Sequence, residues 1–268
     1  MDVGRVPLDV AALRDEVPRG ARLWRRIDVV AETGSTNADL LARAGRGEDV
    51  DGAVLIAENQ TAGRGRRGRS WSAVPFAQIT MSVGVDVTAV PSSAWGWLPL
   101  TTGVAVVDAV ADTGVGAQLK WPNDVLVRGG KLAGILAEVA PAQQAVVIGV
   151  GLNVSLRAED MHVEGSTSLT DLGVPAPDRQ RLTVRLLHEL GNRIESWRRA
   201  GGVDAALAAD YRARSLTLGM AVRAMLPGDQ QILGVARDID DQGRLVVESD
   251  TGAVAVSAGD IVHLRPAD

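Results

Sequence analysis

Two periods of apolar residues alternate along this chain, and the places where one gives way to the other outline its elements. After Pro7, Leu8 to Val17 carries apolar residues at helical spacing, and Trp24 to Ala31 reads as a strand. The polar cluster Thr33-Gly34-Ser35-Thr36-Asn37 can cap a helix over 38–44 that turns Leu40 and Leu41 inward. Ala53 to Glu58 is an apolar strand, Ala77 to Val85 alternates as a strand should, and Ala94 to Ala111 is long and apolar enough for a buried helix.

From 117 to 154 the period shortens to that of a sheet. Gln118 to Trp121 is a short strand turned by Pro122-Asn123-Asp124, and Val125 to Val127 meets Lys131 to Val139 across Gly129-Gly130, a pair suited to a primed hairpin turn. Ala145 to Val154 is a further strand, and its glycines imply that something approaches its backbone closely. Residues 155–167 are polar and read as loop. Asp178 to Arg199 places Leu182, Leu186, Leu190, Ile194 and Trp197 on one helical face. Gly201-Gly202 breaks that helix, and Val203 to Arg214 forms another. Beyond Leu216, five short β runs are separated by Gly228-Asp229, Gln242-Gly243 and Thr251-Gly252, the pattern of a small barrel. The expected division is therefore a domain over 1–215 and a small one over 216–268.

Composition narrows the chemistry. The 268 residues are 46% hydrophobic and 23% charged, enough for a sizeable core, and the net charge of −5 argues against a bulk nucleic-acid surface. Cysteine is absent, which removes disulfides and thiolate chemistry. No apolar run is expected to reach the roughly 18 residues of a membrane span, and the N-terminus has no signal-peptide pattern, so a cytoplasmic protein is expected.

Against that acidic background stands Gly63-Arg64-Gly65-Arg66-Arg67-Gly68-Arg69-Ser70-Trp71. Glycines let backbone approach a ligand, and arginines offer planar forks for phosphate and carboxylate. The spacing Gly63-x-Gly65-x-x-Gly68 mimics a dinucleotide fingerprint, but no helical periodicity follows it, and no P-loop sequence exists. An Arg/Gly nucleic-acid patch, a solvated loop and a phosphate-gripping loop all remain open from the run alone. Four mutually repelling arginines among three glycines are expected to be mobile when empty and ordered by a ligand. Lys120-Trp121-Pro122-Asn123-Asp124 and Lys131-Leu132-Ala133-Gly134-Ile135-Leu136 add two lysines near turns, each explicable as a strand-end lysine snorkelling to water.

Taken in order, Gly-Ser-Thr-Asn at 34–37, Gln60 ahead of the arginine run, Lys-Trp-Pro-Asn-Asp at 120–124, Lys-Leu-Ala-Gly-Ile-Leu at 131–136 and Gly-Val-Gly-Leu-Asn-Val at 149–154 resemble the biotin protein ligases. The resemblance implies an α+β fold: a mixed-sheet catalytic core like that of class II aminoacyl-tRNA synthetases, plus a small SH3-like β-barrel. It implies that biotin and ATP, with Mg2+, form biotinyl-5'-AMP, and that biotin then passes to a lysine of a biotin carboxyl carrier domain of an acyl-CoA, acetyl-CoA or pyruvate carboxylase. Biotin would be held by Ser35, Thr36, Asn37, Gln60, Arg64, Gly65, Arg66, Lys120 and Gly134. The nucleotide and its phosphates would meet Arg67, Arg69, Trp71, Asn123, Lys131 and Asn153. Lys120 and Arg66 are the expected catalytic residues, Lys120 bridging carboxylate and α-phosphate. Magnesium would arrive with the triphosphate rather than in a protein cage. Only about 23 residues precede the first strand, so no DNA-binding domain, repressor activity or membrane association is expected. Residues 155–170 lack the aromatic that some relatives stack on adenine. A lipoate or octanoate ligase of the same superfamily is the alternative.

Overall fold

A computed structural model describes residues 5–140, 142, 144–160, 165–226, 231–257 and the backbone of 260–263. Seven strands form one sheet: β1 (Arg26–Val30), β2 (Ala53–Ala57), β5 (Gln78–Asp86), β6 (Gln118–Lys120), β7 (Asp124–Val127), β8 (Gly130–Ala140) and β9 (Ala145–Asn153). Their spatial order is β1-β2-β5-β9-β8-β7-β6, with β1 and β2 parallel and every other pair antiparallel. β3 (Gly63–Arg64) and β4 (Ser70–Trp71) make a separate small hairpin out of the arginine run.

The two faces of the large sheet are covered differently. On one lie α1 (Val10–Gly20), α3 (Trp97–Ala111) and α4 (Arg179–Ala200), packed on Ile79, Met81, Val83, Ile148 and Val150. α3 is apolar all round because it is enclosed. The segment Ser92–Ala111 meets the length and hydropathy of a membrane span, contrary to the expectation that no run would, and its burial in this core explains that apolarity. On the other face, α2 (Thr36–Gly45) covers Ala53, Leu55 and Val147 with Leu40. α2 is short, and the glycine-bearing stretch of β8 and β9 beyond it is left for the hairpin to roof.

Side-chain caps set the helix starts. Asp9, Ser35, Asp178 and Asp204 each accept from an amide in the first turn of α1, α2, α4 and α5 (Ala205–Arg214). α2 therefore begins two residues before the expected Ala38, with Ser35 as its cap. Gly201, at φ 69°, ends α4 in the left-handed conformation. The β7–β8 turn is centred on Arg128 (φ 50°) and Gly129 (φ 83°) rather than on Gly129-Gly130, because Gly130 already pairs with Val127.

The C-terminal strands β10 (Ala221–Met225), β11 (Gln231–Ile239), β12 (Leu245–Ser249), β13 (Gly252–Val256) and β14 (Asp260–His263) form an antiparallel sheet in the order β13-β12-β11-β10-β14, the SH3-like unit. The expected turn at Gly228-Asp229 lies outside the described residues. Two buried tryptophans tie this unit to the core: the Trp97 and Trp121 indoles donate to the carbonyls of Asp240 and Gly243, each at 3.0 Å. Gly96 must be glycine for this contact, since a Cβ there would stand 2.2 Å from the Gln242 carbonyl oxygen.

Candidate active site

A cavity of about 270 Å³ opens where α2 stops covering the sheet. Its polar end is the N-terminus of α2, with Ser35, Thr36 and Asn37 all buried. Gln60, just past β2, is held there by its side-chain oxygen, which accepts from the Thr36 amide at 2.8 Å. The floor is β8 and β9. A Cβ on Gly149 would fall 2.3 Å from Asn37 Oδ1, and one on Gly151 would fall 2.3 Å from the Trp71 ring. The expected close approach to this glycine-bearing strand is thus made by two cavity side chains.

The roof is the β3–β4 hairpin. Gly63 sits against the Trp71 carbonyl, where a Cβ would be 2.5 Å away, and the tip turns through Arg67 (φ 56°) and Gly68 (φ 74°). Arg64, Gly65, Arg66, Arg69 and Trp71 line the cavity. Arg66 donates to Asn123 Oδ1 at 3.1 Å, joining the roof to the β6–β7 turn. Arg67 points elsewhere, donating to the Met225 carbonyl of the C-terminal unit, and is not among the lining residues, so its expected place on the phosphates is not seen.

The strand register separates the two expected lysines. Lys120 does not line the cavity. It pairs with Asp124, which pairs with Gly134, so all three share a sheet face, but Lys120 stands two strands out at the sheet edge. At about 4.8 Å per strand that is roughly 10 Å from the floor. Lys131 is in the cavity instead: its Nζ lies 2.7 Å from Asp124 Oδ1 and 5.8 Å from the centroid of the Trp71 ring. A bulge in β8 brings it there. The register steps from Val125↔Ala133 to Leu126↔Lys131, leaving Leu132 as the extra residue. In an unbroken strand Lys131 and Gly134, three residues apart, would face opposite sides; the bulge puts both on the cavity side.

Asn153 lines the cavity, but its amide is committed. Its oxygen accepts from Gln78 Nε2 at 2.9 Å, and its nitrogen donates to the carbonyls of Thr167 (2.9 Å) and Lys131 (3.3 Å). It locks the wall rather than offering itself to a nucleotide. Trp71 differs, since its indole N–H is buried without a hydrogen-bond partner among the described residues.

Sequence reading passed over Ser82, Glu138, Gln78 and Asp160. The signal for two of them was present: Gln78, Thr80 and Ser82 alternate with Ile79, Met81 and Val83 on a strand buried on both faces. Polar side chains on one face of such a strand mark a polar cavity. Asp160 closes the far end and pairs with Arg5. Burial opposes its charge, yet the Arg157 amide and the Arg5 guanidinium outweigh that and hold its carboxyl below the usual range.

The arrangement sets a capped helix end and amide groups at one end of a cavity, and a lysine and three arginines along its wall. Such a site holds a polar head group at depth and steadies anionic groups nearer the mouth. A mixed sheet carrying such a cavity, followed by a small antiparallel C-terminal sheet, is an architecture shared with known ligases. Residues 33–153 match the biotin/lipoate A/B protein ligase family, and residues 217–264 match the biotin protein ligase C-terminal domain. The chain is 60% identical to the biotin–[acetyl-CoA-carboxylase] ligase of Mycobacterium tuberculosis over 97% of each chain. It is 34% identical to the bifunctional ligase/repressor BirA of Escherichia coli over 87% of this chain and 72% of that one. The biotin protein ligase of Aquifex aeolicus, solved with biotin and ATP, superposes with a TM-score of 0.77 at 23% identity, covering 91% of this chain and all of that one. The chain belongs to the biotin protein ligase family.

Proposed function

We propose that this chain activates biotin with ATP and attaches it to a lysine of a carboxylase carrier domain, with Lys131 in the role first expected of Lys120. The observation that carries the proposal is the position of Lys131 Nζ in the cavity, oriented by Asp124 and Trp71 within reach of the wall that Arg66 and Arg69 share. Biotin's ureido ring would enter toward Ser35, Thr36, Asn37 and Gln60, leaving its carboxylate toward Lys131 and Arg66. A carboxylate oxygen then attacks the α-phosphorus of ATP, the bond to the bridging oxygen breaks, and pyrophosphate leaves. The negative charge gathering around phosphorus meets fixed cations, so little reorganisation is needed during the step. In the second step the acceptor amine attacks the acyl carbon of biotinyl-5'-AMP, loses a proton and expels AMP.

Trp71 would wall the adenylate from water, which otherwise competes with the acceptor lysine. Magnesium would enter on the triphosphate and keep several of its waters. We read 1–215 as the catalytic domain and 216–268 as the SH3-like domain. A cytoplasmic location suits an enzyme using ATP and carboxylase carriers. The end-to-end match to a relative named as a ligase alone supports activity without repression, and the two relatives described favour biotin over lipoate or octanoate.

Incubation with biotin, MgATP and a carrier domain tests the reading. Pyrophosphate release and biotin on the carrier are expected; neither, with a carrier that another ligase modifies, would overturn it.

A further inference from the structure

Behind the biotin end of the cavity runs a chain of polar groups that the reaction itself does not use, from buried Thr36, Ser82 and Asn37 out to half-buried Glu138. Asn37 donates from Nδ2 to Glu138 Oε2 at 2.8 Å and to the Leu136 carbonyl at 3.2 Å. Those two acceptors fix the orientation of its amide, because a flipped amide would turn its oxygen onto a carboxylate and a carbonyl. Asn37 Oδ1 therefore faces Ser82 and can only accept, and Ser82 Oγ donates to it at 2.5 Å. Ser82 has one hydrogen and has used it. Its contact with Thr36 Oγ1, at 2.7 Å, is a hydrogen bond only if Thr36 donates. The other neighbour of that hydroxyl, Gln60 Oε1 at 3.0 Å, is also an acceptor.

Among the described residues, both partners of the Thr36 hydroxyl, Ser82 Oγ and Gln60 Oε1, thus take its hydrogen inward, and its lone pairs are left for the cavity it lines. We infer that Glu138, Asn37 and Ser82 are positioning residues that fix the polarity of the Thr36 hydroxyl, so that it accepts a hydrogen bond from a ligand N–H and refuses a ligand acceptor. Resting on the biotin reading, this deepens it: the site selects a cyclic urea over ring systems of the same shape that place an oxygen where the urea has N–H. Buried polar groups discriminate strongly in this way, since a mismatched ligand leaves them unpaired. The seat for Asn37 is provided by Gly149, the residue whose Cβ would strike Asn37 Oδ1. Ser82 is fully buried and reaches the ligand space through the two lining residues it bonds, Thr36 and Asn37.

The test compares biotin with its two cyclic carbamate analogues, each with one ring N–H replaced by oxygen, by calorimetric titration of the full chain. Wild type should bind biotin and bind one carbamate much more weakly. In Ser82→Ala and Glu138→Gln that penalty should shrink by about tenfold, equivalent to roughly 1.4 kcal/mol, while the affinity for a non-hydrolysable ATP analogue and the thermal midpoint stay close to wild type. Glu138→Asp should restore part of the penalty. Glu138 also stands 3.9 Å from Arg64, so Ser82→Ala, which leaves that pair alone, separates the two effects. An unchanged penalty in both Ser82→Ala and Glu138→Gln would overturn the inference while leaving the ligase reading intact. Failure of wild type to bind biotin at all would overturn the reading beneath it.

Discussion

The two faces of the seven-stranded sheet solve opposite problems with the same strands. On β9, Ile148 and Val150 point into the layer of α1, α3 and α4, where closeness of packing is the whole requirement. Gly149 and Gly151, their immediate neighbours, face the cavity and are small so that Asn37 and Trp71 can lie on the backbone. One face spends side-chain volume on stability and the other gives it up to make a site. Mutations on the two faces of one strand should therefore separate stability from catalysis.

The sharpest form of that comparison is between the two lysines on the cavity side. Lys131→Ala should lower biotinyl-AMP formation by about 10²–10³-fold, the loss typical of removing one group aimed at developing charge. Lys120→Ala, at the sheet edge, should change it by less than about threefold, since a charge two strands from the cavity floor is screened over that distance. Pyrophosphate release measured on both variants checks this, and a reversed order would return the central role to Lys120.

On β9 itself, Ile148→Ala should cost about 2–5 kcal/mol of stability by opening a cavity in the core, with near-normal turnover per folded molecule. Gly151→Ala should do the reverse. Its new Cβ would stand 2.3 Å from the Trp71 ring, so the ring must leave its seat. A KM for biotin or ATP raised by about tenfold, equivalent to roughly 1.4 kcal/mol, with a melting point near wild type, is the expected result. Denaturant midpoints and steady-state kinetics on the two variants read both quantities.

How much of this was legible beforehand follows from what each feature depends on. α4 could be read because its apolar stripe and its Asp178 and Gly201 ends are local. The glycines of β9 announced close contact, though not with what. Lys131 was undervalued because its direction depends on a bulge that only the pairing of β7 with β8 reveals. The place of Lys120 off the cavity floor was not legible because a motif shows neighbours along the chain and not the two strands between. Asn153 matched the family pattern, yet whether an amide is free is decided by Gln78, Lys131 and Thr167, far away in sequence.

The roof offers a smaller contrast with the floor. The hairpin is exposed at Arg64, Arg67, Gly68 and Arg69, and those three arginines present trypsin sites. Local opening of such a segment takes much less free energy than global unfolding. Cleavage within 63–71 should precede cleavage of the β8–β9 strands and slow several-fold, on the order of 1 kcal/mol of protection, when biotin and an ATP analogue are bound. Equal rates with and without ligands would show that the hairpin is a fixed wall.

The weakest expected effect is on pH, and it sorts the charged surface from the site. Asp28 is buried against its charge but held below the usual carboxylate value of 3.8 by Arg43 and Arg26; Asp210 is likewise held by Arg193 and Arg214, and Asp238 by Arg212 and the Ile239 amide. A carboxylate with a depressed folded value contributes stability that is complete above its unfolded value and lost as pH falls through the folded one. Stability should thus be flat toward neutral pH and decline below about pH 4, each of these partly exposed pairs contributing about 1 kcal/mol or less. Asp160, on the cavity wall, obeys the same sign through Arg157 and Arg5, so its contribution disappears in the same window. Asp210→Asn should flatten the acid limb slightly without touching biotin affinity, whereas Asp160→Asn should flatten it and also alter binding in the cavity. Urea midpoints between pH 3 and 7, with biotin titrations at neutral pH, distinguish the two; identical behaviour would place Asp160 with the surface pairs and outside the site.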